Sequence, residues 1–266
     1  MKRPREKMGR WALVTGASRG IGLELARGLA ARGYNLVLVA RGEQGLLMAA
    51  EELRGLGVEI ATLPMDLAAD GAARRVHEEC CVRGLEVEVL VNNAGLFAYC
   101  DLADMTPSRV EQMLALHIGA TTTLCGLFGG DMRTRGRGYI LNMSSYAAWL
   151  PLAGLGVYSA SKEYIRGLSR ALREELGESG VVVTAAMPAG VATDLYGLPQ
   201  EWQRRGVRWG VLKSPESVAD IALRGLFAGR GSVVPGVMNR LLLPLAKSLP
   251  GGVKRALRKK TLGFQK

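Results

Sequence analysis

Tyr158 and Lys162 stand four residues apart in Val157-Tyr158-Ser159-Ala160-Ser161-Lys162, thirteen residues after Ser145 of a Ser144-Ser145 pair. On a helix, positions i and i+4 share a face, so a phenol and an ammonium so spaced can act on one small volume. An ammonium beside a phenol favours the phenolate, which prepares the tyrosine to exchange protons near neutral pH. Taken alone, the spacing fits equally an exposed lysine one turn after a partly buried tyrosine.

A second group of residues handles phosphate. Thr15-Gly16-Ala17-Ser18-Arg19-Gly20-Ile21-Gly22 follows a short β-type run and opens a helical pattern. Glycines at such a strand-to-helix turn let the backbone approach a pyrophosphate, whose charge suits the helix N-terminus. The spacing is Gly-x-x-x-Gly-x-Gly rather than Gly-x-Gly-x-x-Gly. Unphosphorylated dinucleotides are usually held by an acid ending the second strand. Here that place reads Val39-Ala40-Arg41, with no acid before Glu43. Arg41 and Arg19 are therefore expected to flank a 2′-phosphate, which favours NADP(H) over NAD(H).

The elements that must position these groups alternate along the chain. Short apolar runs at 11–15, 36–40, 58–63, 87–91, 139–143, 181–187 and 232–234 read as strands, several apolar throughout as strands covered on both faces should be. Helical patterns fill the gaps at 21–32, 44–56, 70–82, 108–132, 158–178 and 215–228. This alternation predicts an α/β fold, a doubly wound parallel Rossmann-type sheet of about seven strands with helices on both faces. No repeat or low-complexity linker divides it, so residues 1–266 read as a single dinucleotide-binding and catalytic domain. Residues 193–213, with Tyr196, Trp202 and Trp209 among Gly, Pro and Arg, break the rhythm where a lid could lie.

Composition narrows the class. Hydrophobic residues are 48% and charged residues 22% of 266, enough for a sizeable core. Four cysteines without a Cys-x-x-Cys spacing argue for reduced thiols and against a disulfide scaffold, and two histidines argue against a His-rich metal site. The basic start, Met1 to Lys7, leads into an apolar stretch broken at Thr15-Gly16, too short for a secretory core. No uninterrupted apolar run approaches a spanning helix. The net charge of +11 is uneven: residues 202–266 hold 14 Lys/Arg against Glu216 and Asp220, leaving residues 1–201 nearly neutral. A local basic surface is expected rather than nucleic-acid binding. Residues 236–266, alternating apolar turns with Lys254-Arg255 and Arg258-Lys259-Lys260, read as a basic amphipathic extension that could meet an anionic membrane or simply cap the domain.

Taken together the motifs resemble the short-chain dehydrogenase/reductase family in its single-domain form. The likeness covers residues 10 to about 226 and rests on Thr15 to Gly22, Asp66-Leu67 after the third strand, and Asn92-Asn93-Ala94-Gly95 after the fourth. Ser145, Tyr158-x-x-x-Lys162, and Pro188 with Thr193 after the sixth strand complete it. The resemblance implies hydride transfer between a nicotinamide and a carbonyl/alcohol pair. Tyr158 would be its acid–base, Lys162 would lower the tyrosine's pKa and bind the ribose, and Ser145 would hold the reacting oxygen. Asp66 and Leu67 would contact the adenine. Gly16, Ser18, Arg19, Gly20, Ile21, Gly22, Arg41, Asn92, Ala94, Gly95, Pro188, Val191 and Thr193 would complete the cofactor contacts.

Two places depart from the family pattern. His117 stands where the family usually has an asparagine holding a water beside the lysine, and it reads either as a member of the proton relay or as a neutral core histidine. Pro188-Ala189-Gly190 replaces a usual Pro-Gly. Substrate contacts are expected from Ser145, Leu96, Trp149, Leu155 and Tyr196, with Phe97, Leu150, Leu152 and Leu198 near them. This apolar set points to a lipophilic ketone or secondary alcohol such as a steroid or long acyl chain. The alternative is a 3-oxoacyl thioester carried by coenzyme A or an acyl carrier protein, whose anionic carrier a basic patch would attract. A redox sensor that binds NADP(H) without catalysis is the rival from another class. The resemblance further implies a homodimer or homotetramer, and the composition a cytoplasmic setting, membrane-peripheral if the basic extension meets a bilayer.

Overall fold

The computed structural model describes residues 10–149 and 153–236, the side chain of Tyr196 excepted. The extension at 237–266 and the segment holding Leu150 and Leu152 lie outside the described residues. In chain order the elements are β1 (Trp11–Thr15), α1 (Gly20–Ala30), β2 (Asn35–Ala40), α2 (Glu43–Arg54), β3 (Ile60–Pro64), α3 (Ala72–Val82) and β4 (Val87–Asn92). There follow α4 (Pro107–Leu114), a π-helical turn (Ala115–Ala120), α5 (Thr121–Arg135), β5 (Gly138–Met143), α6 (Gly156–Gly177), β6 (Val181–Ala186), α7 (Gln200–Arg208), α8 (Pro215–Phe227) and β7 (Ser232–Val233).

The seven strands form one parallel sheet in the order β3-β2-β1-β4-β5-β6-β7. Because β1 and β4 are sheet neighbours but not successive strands, the connections leave them in opposite directions. That reversal opens a crevice at the strands' carboxyl ends, the usual ligand position in such sheets. Alternate side chains of each strand feed opposite faces. Ala12, Val14, Leu36 and Leu38 pack under α1, α2 and α8, whereas Leu13, Val37, Leu90 and Ile140 pack under α3 and α5.

Local chemistry sets the boundaries. Thr106 and Ser214 accept hydrogen bonds from the Arg109 and Ser217 N–H groups, and each precedes a proline at the first helical position of α4 or α8. Gly71 has a positive φ (66°), so α3 begins at Ala72 rather than at Asp70 as periodicity suggested.

Two segments differ from the periodic reading. The helix expected at 108–132 runs from Pro107 to Arg135 and is widened in the middle by the π turn that carries His117. By length and composition this continuous helix could cross a membrane, but Met113, Leu124, Cys125, Phe128 and Met132 are buried in the domain. The segment at 193–213 contains α7 and returns to the body through a parallel bridge between Val191 and Lys213. Gly190 faces Leu212 there, and a Cβ on it would stand 2.6 Å from the leucine's Cδ2. The displaced glycine of Pro188-Ala189-Gly190 thus has a packing reason in this chain.

Candidate active site

The crevice holds a cavity of about 860 Å³. Its phosphate end is built by β1 and the turn into α1. Gly16 and Gly20 have positive φ (67° and 59°), and the Gly16 N–H donates to the Val39 carbonyl at 2.8 Å. A Cβ on Gly22 would overlap the Gly16 carbonyl oxygen, and one on Gly16 would stand 2.9 Å from Asn93 Nδ2. No side chain caps α1, and its first turn carries no acid. The free N–H groups of that turn therefore face the cavity as an anion site. This cradle, which only glycine can line so closely, fits a dinucleotide pyrophosphate.

Thr15 fastens the cradle to the neighbouring strand. Its hydroxyl donates to Val91 O (3.2 Å) and accepts from the N–H groups of Asn93 (2.9 Å) and Ala94 (3.0 Å). Asn93 Nδ2 donates in return to Thr15 O at 3.0 Å. Arg19 and Arg41 both line the cavity beside Gly42 and Gly45. Arg19 stands 3.6 Å from the Asp194 carboxylate, a largely exposed pair of little net energy that an entering anion could displace. Asp66 accepts from the Ala68 N–H (3.0 Å) and lines the wall with Leu67.

At the other end stand Ser145, Tyr158 and Lys162, all buried and all on the cavity wall. α6 presents the last two from one face. Burial raises the Tyr158 pKa above its ordinary value, with a hydrogen bond from Ser145 opposing the shift. Burial also lowers the Lys162 pKa to about 8. Its ammonium donates to Met143 O at 2.9 Å and lies 5.8 Å from the Tyr158 ring centroid. In the structure desolvation, not the neighbouring cation, dominates the phenol; the depressed pKa expected from the sequence is not what this environment produces.

His117 is fully buried, and both ring nitrogens are engaged. Nε2 accepts from the Leu96 N–H (2.9 Å), and Nδ1 is 2.8 Å from the Ser161 hydroxyl. That hydroxyl donates to Tyr158 O, so Nδ1 must be the protonated nitrogen. Burial first, then Lys162 and Arg109, hold its pKa down to about 2. The ring ties the segment after β4 to α6 directly behind Tyr158, and Gly95 fits between it and Lys162: a Cβ there would meet Nε2 at 3.3 Å and Nζ at 3.6 Å.

Of the residues singled out in the sequence, Gly16, Ser18, Arg19, Gly20, Ile21, Gly22, Arg41, Asp66, Leu67, Ala94, Gly95, Leu96, Pro188, Val191 and Thr193 line the cavity with the Ser145-Tyr158-Lys162 group. Others stand elsewhere. Asn92 points away from the cavity, its Nδ2 donating to Asn142 Oδ1 (2.8 Å) and Cys125 Sγ (3.2 Å) within the core. Its neighbour Asn93 takes the cavity side, because successive residues leaving a strand face opposite ways. Leu155 packs with Met113 and Tyr158 beneath the wall. Trp149 stacks edge-on with Tyr146 and under the Arg166 guanidinium (5.8 Å). Thr15, Asn93, Met65, Gln112, Leu116 and Gln203 join the site without having been singled out for it. For Thr15 and Asn93 the signal was their place at strand ends inside the two motifs.

The short chain dehydrogenase family model matches residues 10–204. A curated very-long-chain 3-oxoacyl-CoA reductase of Pyrenophora tritici-repentis is 34% identical over 190 residues, 70% of this chain and 56% of that protein. The chain spans 53% to 62% of the length of such relatives. Among solved structures, a short-chain dehydrogenase from Sphingobium yanoikuyae in complex with NADPH superposes with TM-score 0.78 at 28% identity, covering 91% of this chain and 97% of that one. A 7beta-hydroxysteroid dehydrogenase superposes with TM-score 0.81 at 27% identity, covering 93% and 95%. Nucleotide cradle, Tyr158-x-x-x-Lys162 pair and parallel sheet thus meet in one framework, and the chain belongs to the short-chain dehydrogenase family of oxidoreductases.

Proposed function

We propose that this chain reduces a 3-oxoacyl thioester with a long acyl chain to the 3-hydroxy form, using NADPH. The observation that carries the reading is one cavity joining an anion-ready turn flanked by Arg19 and Arg41 to Ser145, Tyr158 and Lys162, buried together on its wall. The bound nicotinamide would supply the hydride. Ser145 and Tyr158 would hold the carbonyl oxygen, and the phenol, kept protonated by its burial, would deliver the proton as negative charge grows there. Lys162, still largely protonated below pH 8, adds positive potential beside that oxygen. His117 acts as a positioning residue, since a neutral ring with both nitrogens engaged has no proton to exchange near neutral pH.

The thioester substrate is favoured by the likeness to very-long-chain 3-oxoacyl-CoA reductases, and the lipophilic tail by Leu96, Leu116 and Leu195 on the wall. A bulky cyclic ketone is the second reading, supported by the likeness to the 7beta-hydroxysteroid dehydrogenase. The decisive experiment follows NADPH oxidation with 3-oxoacyl-CoA esters of increasing length beside a set of steroid ketones. The expected result is kcat/KM rising with acyl length and no turnover by Tyr158→Phe. Preference for the steroids would overturn the substrate, and activity retained in Tyr158→Phe would overturn the mechanism. A homo-oligomer and membrane contact through residues 237–266 extend the proposal; light scattering and liposome co-sedimentation of the full chain test them.

A further inference from the structure

Outside the cavity, one cluster brings three different donor atoms to a single point on the surface. His77 and Cys81 stand four residues apart on α3 and therefore on one face. Asp131 comes from α5, packed alongside. Its carboxylate is 2.8 Å from His77 Nε2, and Cys81 Sγ is 3.8 Å from the same nitrogen. All three donor atoms lie within 4.8 Å of one another.

The surroundings favour a ligand rather than a closed polar contact. The imidazole is held in place by the edge of Phe128, with ring centroids 4.9 Å apart, while Cys81 is exposed and Asp131 half-buried, so an ion can enter from solvent. Arg135, one turn after Asp131 and its natural i+4 partner, turns instead to Glu86 and to Val87 O (2.7 Å). Cys81, like the other cysteines of the described residues, is a free thiol.

We propose that His77, Cys81 and Asp131 form a three-ligand site for a borderline-soft divalent cation of the Zn²⁺ type, with a fourth position open to water. Bond lengths of about 2.0 Å to nitrogen and oxygen and about 2.3 Å to sulfur in a tetrahedron require N···O near 3.3 Å and N···S near 3.5 Å. The observed 2.8 and 3.8 Å bracket these values, and the carboxylate and thiol, within 4.8 Å of each other, close on the ion by side-chain rotation at the exposed Cys81. Mixed thiolate, imidazole and carboxylate donors select zinc over magnesium or calcium, which take oxygen ligands. A bound ion would tie α3 to α5, the helix that continues through the π turn carrying His117.

The test uses the full-length, tag-free, reduced chain stripped of metal. Titration with Co²⁺ should give a near-ultraviolet thiolate-to-cobalt charge-transfer band saturating at one ion per chain and displaced by Zn²⁺. Cys81→Ser should abolish the band, and His77→Gln or Asp131→Asn should weaken Zn²⁺ binding roughly tenfold or more, as loss of one ligand in three predicts. Cys100→Ser, a cysteine outside the cluster, should leave the band unchanged. Circular dichroism of the metal-free variants establishes that each is folded. A band that survives Cys81→Ser, or no band from the folded wild-type chain, would overturn the proposal.

Discussion

Lys162→Met is expected to stabilise the chain while removing its activity. The lysine is buried and its pKa lowered from 10.5 to about 8 by desolvation. The unfolded chain therefore binds this proton more tightly than the folded one, and stability rises with pH across the interval between the two values. For this group alone, linkage gives a penalty of about 3 kcal/mol at pH 7, relieved by roughly 1 kcal/mol at pH 9 and about 2 kcal/mol at pH 10. Other groups titrate in the same range. Burial raises Cys80 and Cys125 to about 12, which lowers stability as pH rises past 9. Both variants share these, so the difference between wild type and Lys162→Met isolates the lysine. The assay is urea unfolding of both proteins without nucleotide at half-unit steps from pH 7 to 9.5, below the range in which Tyr158 ionises. The stability advantage of Lys162→Met should be greatest at pH 7 and shrink as pH rises. Parallel profiles for the two proteins would refute the claim that burial, rather than a compensating partner, governs this ammonium.

Gly22→Ala should destabilise by about 1–3 kcal/mol and abolish NADPH binding, because its Cβ would overlap the Gly16 carbonyl; calorimetric titration and urea unfolding check both. His117→Asn should lose roughly 1–3 kcal/mol through unpaired buried groups at Leu96 and Ser161. With a histidine pKa near 2, its kcat/KM profile should run parallel to wild type from pH 5 to 8; a limb near pH 6–7 in wild type that the variant removes would reinstate His117 as a proton carrier. Arg41→Asp should weaken NADPH by roughly tenfold or more and spare NADH, and equal changes in the two dissociation constants would refute a 2′-phosphate contact.

The Tyr158–Lys162 spacing, the glycine turn and the strand–helix alternation were legible because each is set within one element or one turn. A single helical turn puts Lys162 beside Tyr158, and one strand end puts Gly16 before α1. Once such a sheet is parallel and doubly wound, motifs at strand ends converge without further information. Asp66, Ala94 and Ser145, which the family resemblance named, stand just past such strand ends on the cavity wall.

What periodicity could not supply was phase and partnership across the fold. Asn92 and Asn93 are equivalent by type, but strand register aims the first at Asn142 in the core and the second at Thr15. The π turn is invisible to a count of apolar positions, yet it sets His117 against Leu96 and Ser161 and decides that the ring stays neutral. The chain's composition argued against a His-rich metal site, whereas a mixed site needs only one histidine. His77 and Cys81 share a helix face in the sequence itself, but Asp131 stands fifty residues beyond Cys81 and joins them only because α3 and α5 pack on the same side of the sheet. The electrostatics followed the same division. Sequence placed a cation one turn from a phenol, and the depth at which the fold buries both groups made desolvation the largest influence on each.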